Sequence, residues 1–237
     1  GNIPVHAFNL ISPTFFANSS TGNKYSLWVN VYGVSERYLN VYGEKDLRAQ
    51  MNQFFHRTYT HPVDGTTLDM KMLCNWYWYD ETAILETGKG TKDWNFYRYA
   101  ETLLSAAEAI AQSSGVNAEA AGYLAQVKAR ANMEGKDVST IASELQRLGK
   151  QAFIEECWKE RLREFPLEMK IWDDCVRTGK FPQISATNKG EVQFVDLIGA
   201  TNGSGAKFKE TDLYWPIPVN EIQRNPNLTQ NEGYSAK

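Results

Sequence analysis

The sequence predicts a mainly α-helical protein, built of stacked helical hairpins with loop-rich regions and a small β-hairpin. In the middle of the chain, apolar residues recur every three or four positions, as on one face of a helix. On either side, glycines and prolines punctuate short runs that indicate strands and turns. The helix spacing is compatible with tetratricopeptide-like repeats, although the consensus of that repeat is absent.

Three segments follow from this change in pattern. Residues 1–92 form a loop-rich segment with short strands and one helix near Glu44–Arg57, and we expect this segment to face a ligand. Residues 93–180 form the helical core. Residues 181–237 form a β-hairpin and a proline-containing tail that we expect to dock on the core.

The first two predicted helices make one hairpin. The first helix presents an apolar face and stops at Gly115. That face consists of Phe96, Ala100, Leu103, Leu104, Ala107, Ile110 and Ala111. Asn117 is suited to cap the second helix, whose inner face runs from Ala120 to Ala131. A short turn between two helices of this length predicts an antiparallel pair.

Further helices and two strands follow. We expect one helix from about Ser139 and another whose face runs from Ile154 to Phe165. Pro166 suits the first turn of a fifth helix, and Gly179 suits its end. Residues 191–198 alternate as a strand does, and residues 206–214 are expected to pair with them.

Composition and charge exclude some classes of function. The chain has 237 residues and a formal net charge of −3, which argues against binding to a nucleic-acid backbone. No run approaches the roughly 20 apolar residues of a membrane span. The chain starts at Gly1 rather than at methionine. We therefore expect a processed product or a part of a longer protein.

Few residues form a pattern typical of catalysis. His56 and His61 match no metal-ligand spacing, so no metal site is predicted. A row of glutamates at four-residue spacing is interpreted as a charged helix face, with some members bonding to neighbouring helices. Its members are Glu156, Glu160, Glu164 and Glu168. A glycoside hydrolase needs two opposed carboxylates, and the sequence offers no such committed pair.

The sequence leaves open whether Cys157 and Cys175 form a disulfide bond.

The chain is rich in aromatic residues, which are 13% of the total. The densest cluster is Trp76, Tyr77, Trp78 and Tyr79, followed by Asp80, with Trp28 in a similar setting. In an extended strand, alternate rings would face opposite sides. Rings beside carboxylates suit sugars, because the apolar face of a pyranose stacks on a ring while polar groups bind its hydroxyls. Other rings are expected in the core or its tail, namely Tyr99, Trp158, Trp172 and Trp215.

Three stretches together resemble the SusD/RagB family of bacterial outer-membrane nutrient-binding lipoproteins. The first runs from Arg98 and Glu101 to Ala109, and the second from Glu160, Arg161 and Glu164 to Arg177. The third is the closing segment from Trp215. It includes Asn225, Gln230 and Tyr234. The chain departs from the family pattern at Met169 and at Leu162, where the family usually has glycine and arginine.

The resemblance implies a SusD-like helical protein at the cell surface that binds glycans without catalysis or cofactors. It implies a SusC-like, TonB-dependent outer-membrane transporter as partner. Family members are longer, and the N-terminal half carries the lipid-anchored cysteine, so this chain resembles a C-terminal portion. The shared motifs are structural in such proteins. The alternative is a helical module that binds proteins without binding sugar.

Overall fold

The computed structural model describes residues 34–62, 65–82, 93 and 95–235. The chain divides into two compact units. The first unit comprises Gly1–Glu168 and Ile184–Val192, and the second comprises Met169–Gln183 and Gln193–Lys237. The three predicted segments and the docking of the tail on the core stay predictions.

Helices dominate the first unit, which confirms the predicted fold class. They are α1 (Tyr99–Ser114), α2 (Ala118–Ala129), α3 (Val138–Leu145) and α4 (Lys150–Glu164). Successive helices pack as pairs, α1 on α2 and α2 on α3, while α4 returns against α1. A strand pair, β1 (Phe55–Thr60) and β2 (Thr67–Asn75), runs antiparallel in the same unit.

The apolar faces predicted for the helices form the core of this unit. Leu104, Leu124 and Phe153 are fully buried at its centre. Burying one such side chain contributes about 1.5–3 kcal/mol. Asn117 caps α2, as expected, by accepting a hydrogen bond from the Ala120 N–H at 2.9 Å. The helices are therefore held by core packing together with local caps.

The start of α1 differs from the prediction. The helix begins at Tyr99, and the Phe96 ring lies outside it with 75% of its surface exposed. Tyr99 is also 72% exposed, so the expectation that it belongs to the core is wrong. Phe96 matches the apolar spacing of the helix by coincidence, because it lies before the helix starts. Arg98 has an extended backbone and is the last residue before α1.

The helix predicted near Glu44–Arg57 is replaced by a short 3-10 turn (Leu47–Ala49) and the start of β1. The reason is local competition for hydrogen bonds. The Asp46 carboxylate accepts from the Arg48 N–H at 3.0 Å and from the Arg48 guanidinium at 2.7 Å. This contact fixes the turn and turns Arg48 into the protein, where it is 5% exposed.

The glutamate row on α4 is largely buried. Glu160 is fully buried and lies 2.8 Å from Arg48, 3.2 Å from Arg163 and 3.6 Å from Lys128. Glu164 binds three arginines, which are Arg48 at 2.9 Å, Arg98 at 3.0 Å and Arg130 at 2.6 Å. The predicted contacts to neighbouring elements therefore exist, but this part of the row is no solvated face.

This ion network predicts an acid-sensitive fold. Burial alone would raise the pKa of Glu160, but Arg48, Lys128 and Arg163 outweigh it and hold this pKa well below its usual range. Lys128 and Arg163 likewise lower the pKa of Glu156 against the effect of burial. In the unfolded chain such carboxyls bind protons near pH about 4.3. The stabilisation is therefore complete at neutral pH and lost as pH falls below about 5.

We expect the urea midpoint of unfolding to stay level between pH about 8 and 6 and to drop steadily below about 5. Urea titrations followed by circular dichroism at each pH measure this. The Glu160→Gln variant is the control, because it lacks the main titrating carboxyl and its midpoint should depend less on pH. Equal slopes for the two proteins would contradict the assignment to Glu160.

The turn after α4 also departs from the prediction. Pro166 does not start a helix, and Leu167 and Met169 adopt left-handed backbone conformations with φ of 58°. The turn places Glu168 in a two-bond contact with Arg98, at 2.8 Å for each bond. This ion pair offsets the cost of the left-handed conformation, which is about 1–2 kcal/mol per residue.

The second unit contains α5 (Ile171–Thr178) and all but one residue of each of the antiparallel strands β3 (Lys180–Ile184) and β4 (Val192–Asp196). The predicted strand over 191–198 is confirmed, but its partner is β3 rather than 206–214. Gly179, in left-handed conformation, ends α5 as predicted. Residues 206–214 instead hold a 3-10 turn, because the Asp212 carboxylate accepts from the Lys209 N–H at 2.8 Å.

Side-chain amides and a hydroxyl hold the tail of the second unit together. The Gln230 amide binds both the N–H and the carbonyl of Ile217, at 2.8 and 2.9 Å. The Tyr234 hydroxyl donates to main-chain oxygens at 2.8 Å, and the Asn225 side chain accepts from the Asn227 N–H. A short helix, α6 (Val219–Arg224), lies between these contacts. Trp215, which is expected with the core or its docked tail, lies in the tail and is 87% exposed.

The other two tryptophans expected in the core or its tail differ in burial. Trp158 packs beside the helical core, and its indole N–H donates to Glu108 at 2.8 Å. Trp172 lies 5.6 Å from Phe208, measured between ring centroids, and is 38% exposed. Cys74, Cys157 and Cys175 are buried and form no disulfide bond with one another.

Candidate functional site

The predicted aromatic cluster forms a tight turn, and the strand ends before it. We call Trp76 to Tyr79 the aromatic turn. Strand β2 stops at Asn75, and Trp76–Trp78 form a 3-10 turn. The Asn75 side chain accepts from the Tyr77 N–H at 2.8 Å, which closes the turn. Residues three apart lie on one side of a 3-10 turn, so the alternation expected for a strand does not apply.

The Trp76 indole is stacked on both faces. The His56 ring lies 3.9 Å from it and the Tyr79 ring 4.5 Å, with interplanar angles of 12° and 13°. The planes of stacked rings lie about 3.5 Å apart, so the centre of each neighbouring ring is offset sideways from the Trp76 ring centre by less than about 3 Å. With offsets this small, the His56 and Tyr79 rings would overlap if both lay on the same face of Trp76. They therefore occupy opposite faces, and Trp76 supports the turn while its own faces are covered.

The His56 imidazole and the Tyr79 hydroxyl, which belong to this stack, are held in their neutral forms. Burial lowers the pKa of His56, which favours the uncharged imidazole. Burial raises the pKa of Tyr79, and hydrogen bonds with Tyr59 and Glu81 raise it further. The Tyr79 hydroxyl donates to the Glu81 carboxylate at 3.3 Å. Asp80 is 8% exposed, so its carboxylate lies largely within the protein.

Tyr77 connects the aromatic turn to the start of α1. Its hydroxyl accepts from the Asn95 side-chain amide at 3.0 Å, and the Arg98 guanidinium lies 5.8 Å from its ring centre. Phe96 and Tyr97 follow Asn95 directly and are 75% and 79% exposed. These rings, together with Tyr99, form an exposed aromatic segment that sequence reasoning missed for Phe96 and Tyr99, because it placed both in the core.

Arg98 is held by contacts on several sides. It binds Glu164 and Glu168, and its guanidinium lies 4.7 Å from the Phe165 ring centre. The other charged motif residues pair across the same helices, with Glu101 and Arg161 3.3 Å apart. These motif residues therefore serve the scaffold that carries Tyr77 and Tyr99.

Some of the predicted site residues lie outside the part of the chain that the structure describes. Trp28 lies outside the described residues, and so does the side chain of Trp78. His56 and His61 belong to no group of three potential metal ligands in the described part of the chain. No helix in this part is both long and apolar enough to cross a bilayer.

The helical hairpins and the short strand pairs define a helical scaffold protein that carries exposed aromatic residues. The sequence model of the SusD family matches residues 19–234. The chain therefore belongs to the SusD family. This result confirms the resemblance seen in the three motif stretches.

Two relatives bear out this membership. The starch-binding protein SusD of Bacteroides thetaiotaomicron is 36% identical over 138 residues, which are 58% of this chain and 21% of that protein. The crystal structure of a SusD superfamily protein from Parabacteroides distasonis matches with a TM-score of 0.76 and 29% identity. That match covers 97% of this chain and 47% of the other chain. This chain thus spans less than half the length of each relative.

Proposed function

We propose that this chain belongs to a non-catalytic protein that binds oligosaccharides or polysaccharides at the bacterial cell surface. Membership of the SusD family over residues 19–234 is the observation that carries the proposal. The relative named as a starch-binding protein supports a carbohydrate ligand. Delivery of the glycan to a SusC-like TonB-dependent transporter, and a lipid anchor in the outer membrane, are part of the same proposal.

The aromatic turn is the proposed glycan site. Tyr77 is half-buried, in contact with Asn95 and Arg98, which supply hydrogen-bond donors beside a ring. Trp76 sets the position of the turn through its two stacked neighbours. Tyr79, Asp80, Trp78 and Trp28 remain candidates within this proposal. A sugar ring stacked on one aromatic face gains about 0.5–1.5 kcal/mol beyond its buried area.

Tyr77→Ala should weaken binding of a glycan ligand by about tenfold, which corresponds to about 1.4 kcal/mol. The reason is loss of one stacking face together with its hydroxyl. Isothermal titration with a panel of neutral and acidic oligosaccharides measures the dissociation constants. Tyr214→Ala is the matched control, because Tyr214 is 62% exposed and lies in the second unit.

Trp76→Ala is expected to reduce both binding and stability, because it removes the ring between His56 and Tyr79. It is therefore the less selective variant. Unchanged affinity in Tyr77→Ala and Trp76→Ala would place the glycan elsewhere. No heat with any glycan, together with capture of a transporter by the chain alone, would favour the alternative of a protein-binding module.

A further inference from the structure

A pocket opens between the start of α1 and the end of α2. It has a volume of about 240 Å³, and the described residues that line it include two arginines and no aspartate or glutamate. The lining residues are Arg98, Tyr99, Ala100, Leu103, Gln126, Val127 and Arg130. Pockets for drug-sized ligands measure about 300–1,000 Å³, so this one suits a single sugar ring.

Three side chains in this pocket have hydrogen-bonding atoms without a partner among the described residues. The Tyr99 hydroxyl and the Gln126 amide make no hydrogen bond with any described residue. Arg130 uses only its Nη2 atom, which donates to Glu164 at 2.6 Å, so donors on Nε and Nη1 are free among the described residues. A ring, an amide and a guanidinium are therefore available together in one concave site.

The charges around the pocket are arranged with the cations outward. The side chains of Arg130 and Arg98 are 59% and 21% exposed. Their partners Glu164 and Glu168 are 2% and 5% exposed. A ligand in the pocket therefore meets guanidinium groups before it meets carboxylates. The bond to Glu164 also fixes the orientation of the Arg130 fork before a ligand arrives.

We propose that this pocket binds an acidic sugar residue through its carboxylate. Arg130 binds the carboxylate, the exposed Tyr99 ring supports the C–H face of the sugar, and Gln126 binds a hydroxyl. Guanidinium matches the planar geometry of a carboxylate, and such charge-assisted bonds are about twice as strong as neutral ones. The inference rests on the proposed glycan binding but concerns a site distinct from the aromatic turn.

A matched pair of ligands tests the charge requirement. Isothermal titration uses the whole chain with a short oligogalacturonide and with the same oligosaccharide after reduction of its carboxyls to primary alcohols. We expect the acidic form to bind about tenfold more tightly or better, as hydrogen bonds to charged groups imply. Raising the ionic strength from about 0.01 M to about 1 M should weaken only the acidic ligand.

Variants assign the binding to this pocket. Arg130→Gln should abolish the preference for the acidic form, and Tyr99→Ala should weaken both forms by about tenfold. Arg147→Gln is the control, because Arg147 is exposed and its side chain has no partner among the described residues. Circular dichroism checks that each variant is folded. If Arg130→Gln fails to fold, Arg130→Lys replaces it, and this variant should keep the charge but lose most of the preference.

The outcomes separate this inference from the proposed function. Equal affinity for the acidic and reduced forms, or a preference that survives Arg130→Gln, overturns the acidic-sugar site while glycan binding stands. Binding of neutral glycans without binding of acidic ones also overturns the acidic-sugar site while glycan binding stands. Absence of binding to every glycan overturns both.

Discussion

Replacing Glu160 with glutamine should lower the free energy of unfolding by about 3–5 kcal/mol, the range for breaking a buried ion pair. Glu160 is fully buried, with Arg48, Arg163 and Lys128 all within 3.6 Å. The glutamine keeps the size but removes the negative charge. The cations would then stay buried with less compensation, and burial disfavours their charged forms.

Urea denaturation of the purified chain measures this effect. Glu155→Gln is the matched control, since Glu155 lies on the same helix and its described contact is a hydrogen bond from Gln151 at 3.0 Å. The control should change stability by less than about 0.5 kcal/mol, as surface substitutions do. A loss as small for Glu160→Gln as for the control would show that the network contributes little to stability.

The helices were predictable because their signals are local. Periodicity marked the inner faces of α1 to α4, and Asn117 and Gly179 marked ends that the structure confirms. The burial of Glu160 and Glu164 was not predictable in this way. A glutamate row reads as a solvated face until a partner is known, and Arg48 lies 116 positions from Glu164 in the sequence. Such long-range ion pairs leave no periodic signal.

The proposed aromatic site was likewise predictable only in part. Sequence reasoning located the cluster and its polar neighbours, but an apolar run does not show where a strand ends. One hydrogen bond, from the Tyr77 N–H to the Asn75 side chain, decides that the strand stops and the turn begins. One face of Trp76 is covered by His56, which lies on β1, the strand that pairs with β2. The pocket at Arg130 joins two helix ends, so neither end alone predicts it.

Arg98 links the helical scaffold to the proposed glycan site, and its removal should affect both. Arg98→Ala loses the two-bond contact with Glu168, the bond to Glu164 and the contact with the Phe165 ring. We expect a loss of about 3 kcal/mol in unfolding free energy, at the lower end of the range for buried pairs. Arg98→Lys should recover little of it, because an ammonium group cannot reproduce the planar fork.

The effect on binding follows from Tyr77, whose ring lies beside the Arg98 guanidinium. Lysine keeps a positive charge but lacks the planar fork, so the cation–π contact of about 0.5–1 kcal/mol is weakened and the position of the ring is less firmly fixed. Glycan affinity of the folded Arg98→Lys protein, measured below its unfolding temperature, should therefore fall by a few-fold, whereas Arg147→Gln should bind as the original does. If stability falls but affinity stays the same, Arg98 supports the scaffold alone and Tyr77 is positioned by Asn75 and Asn95.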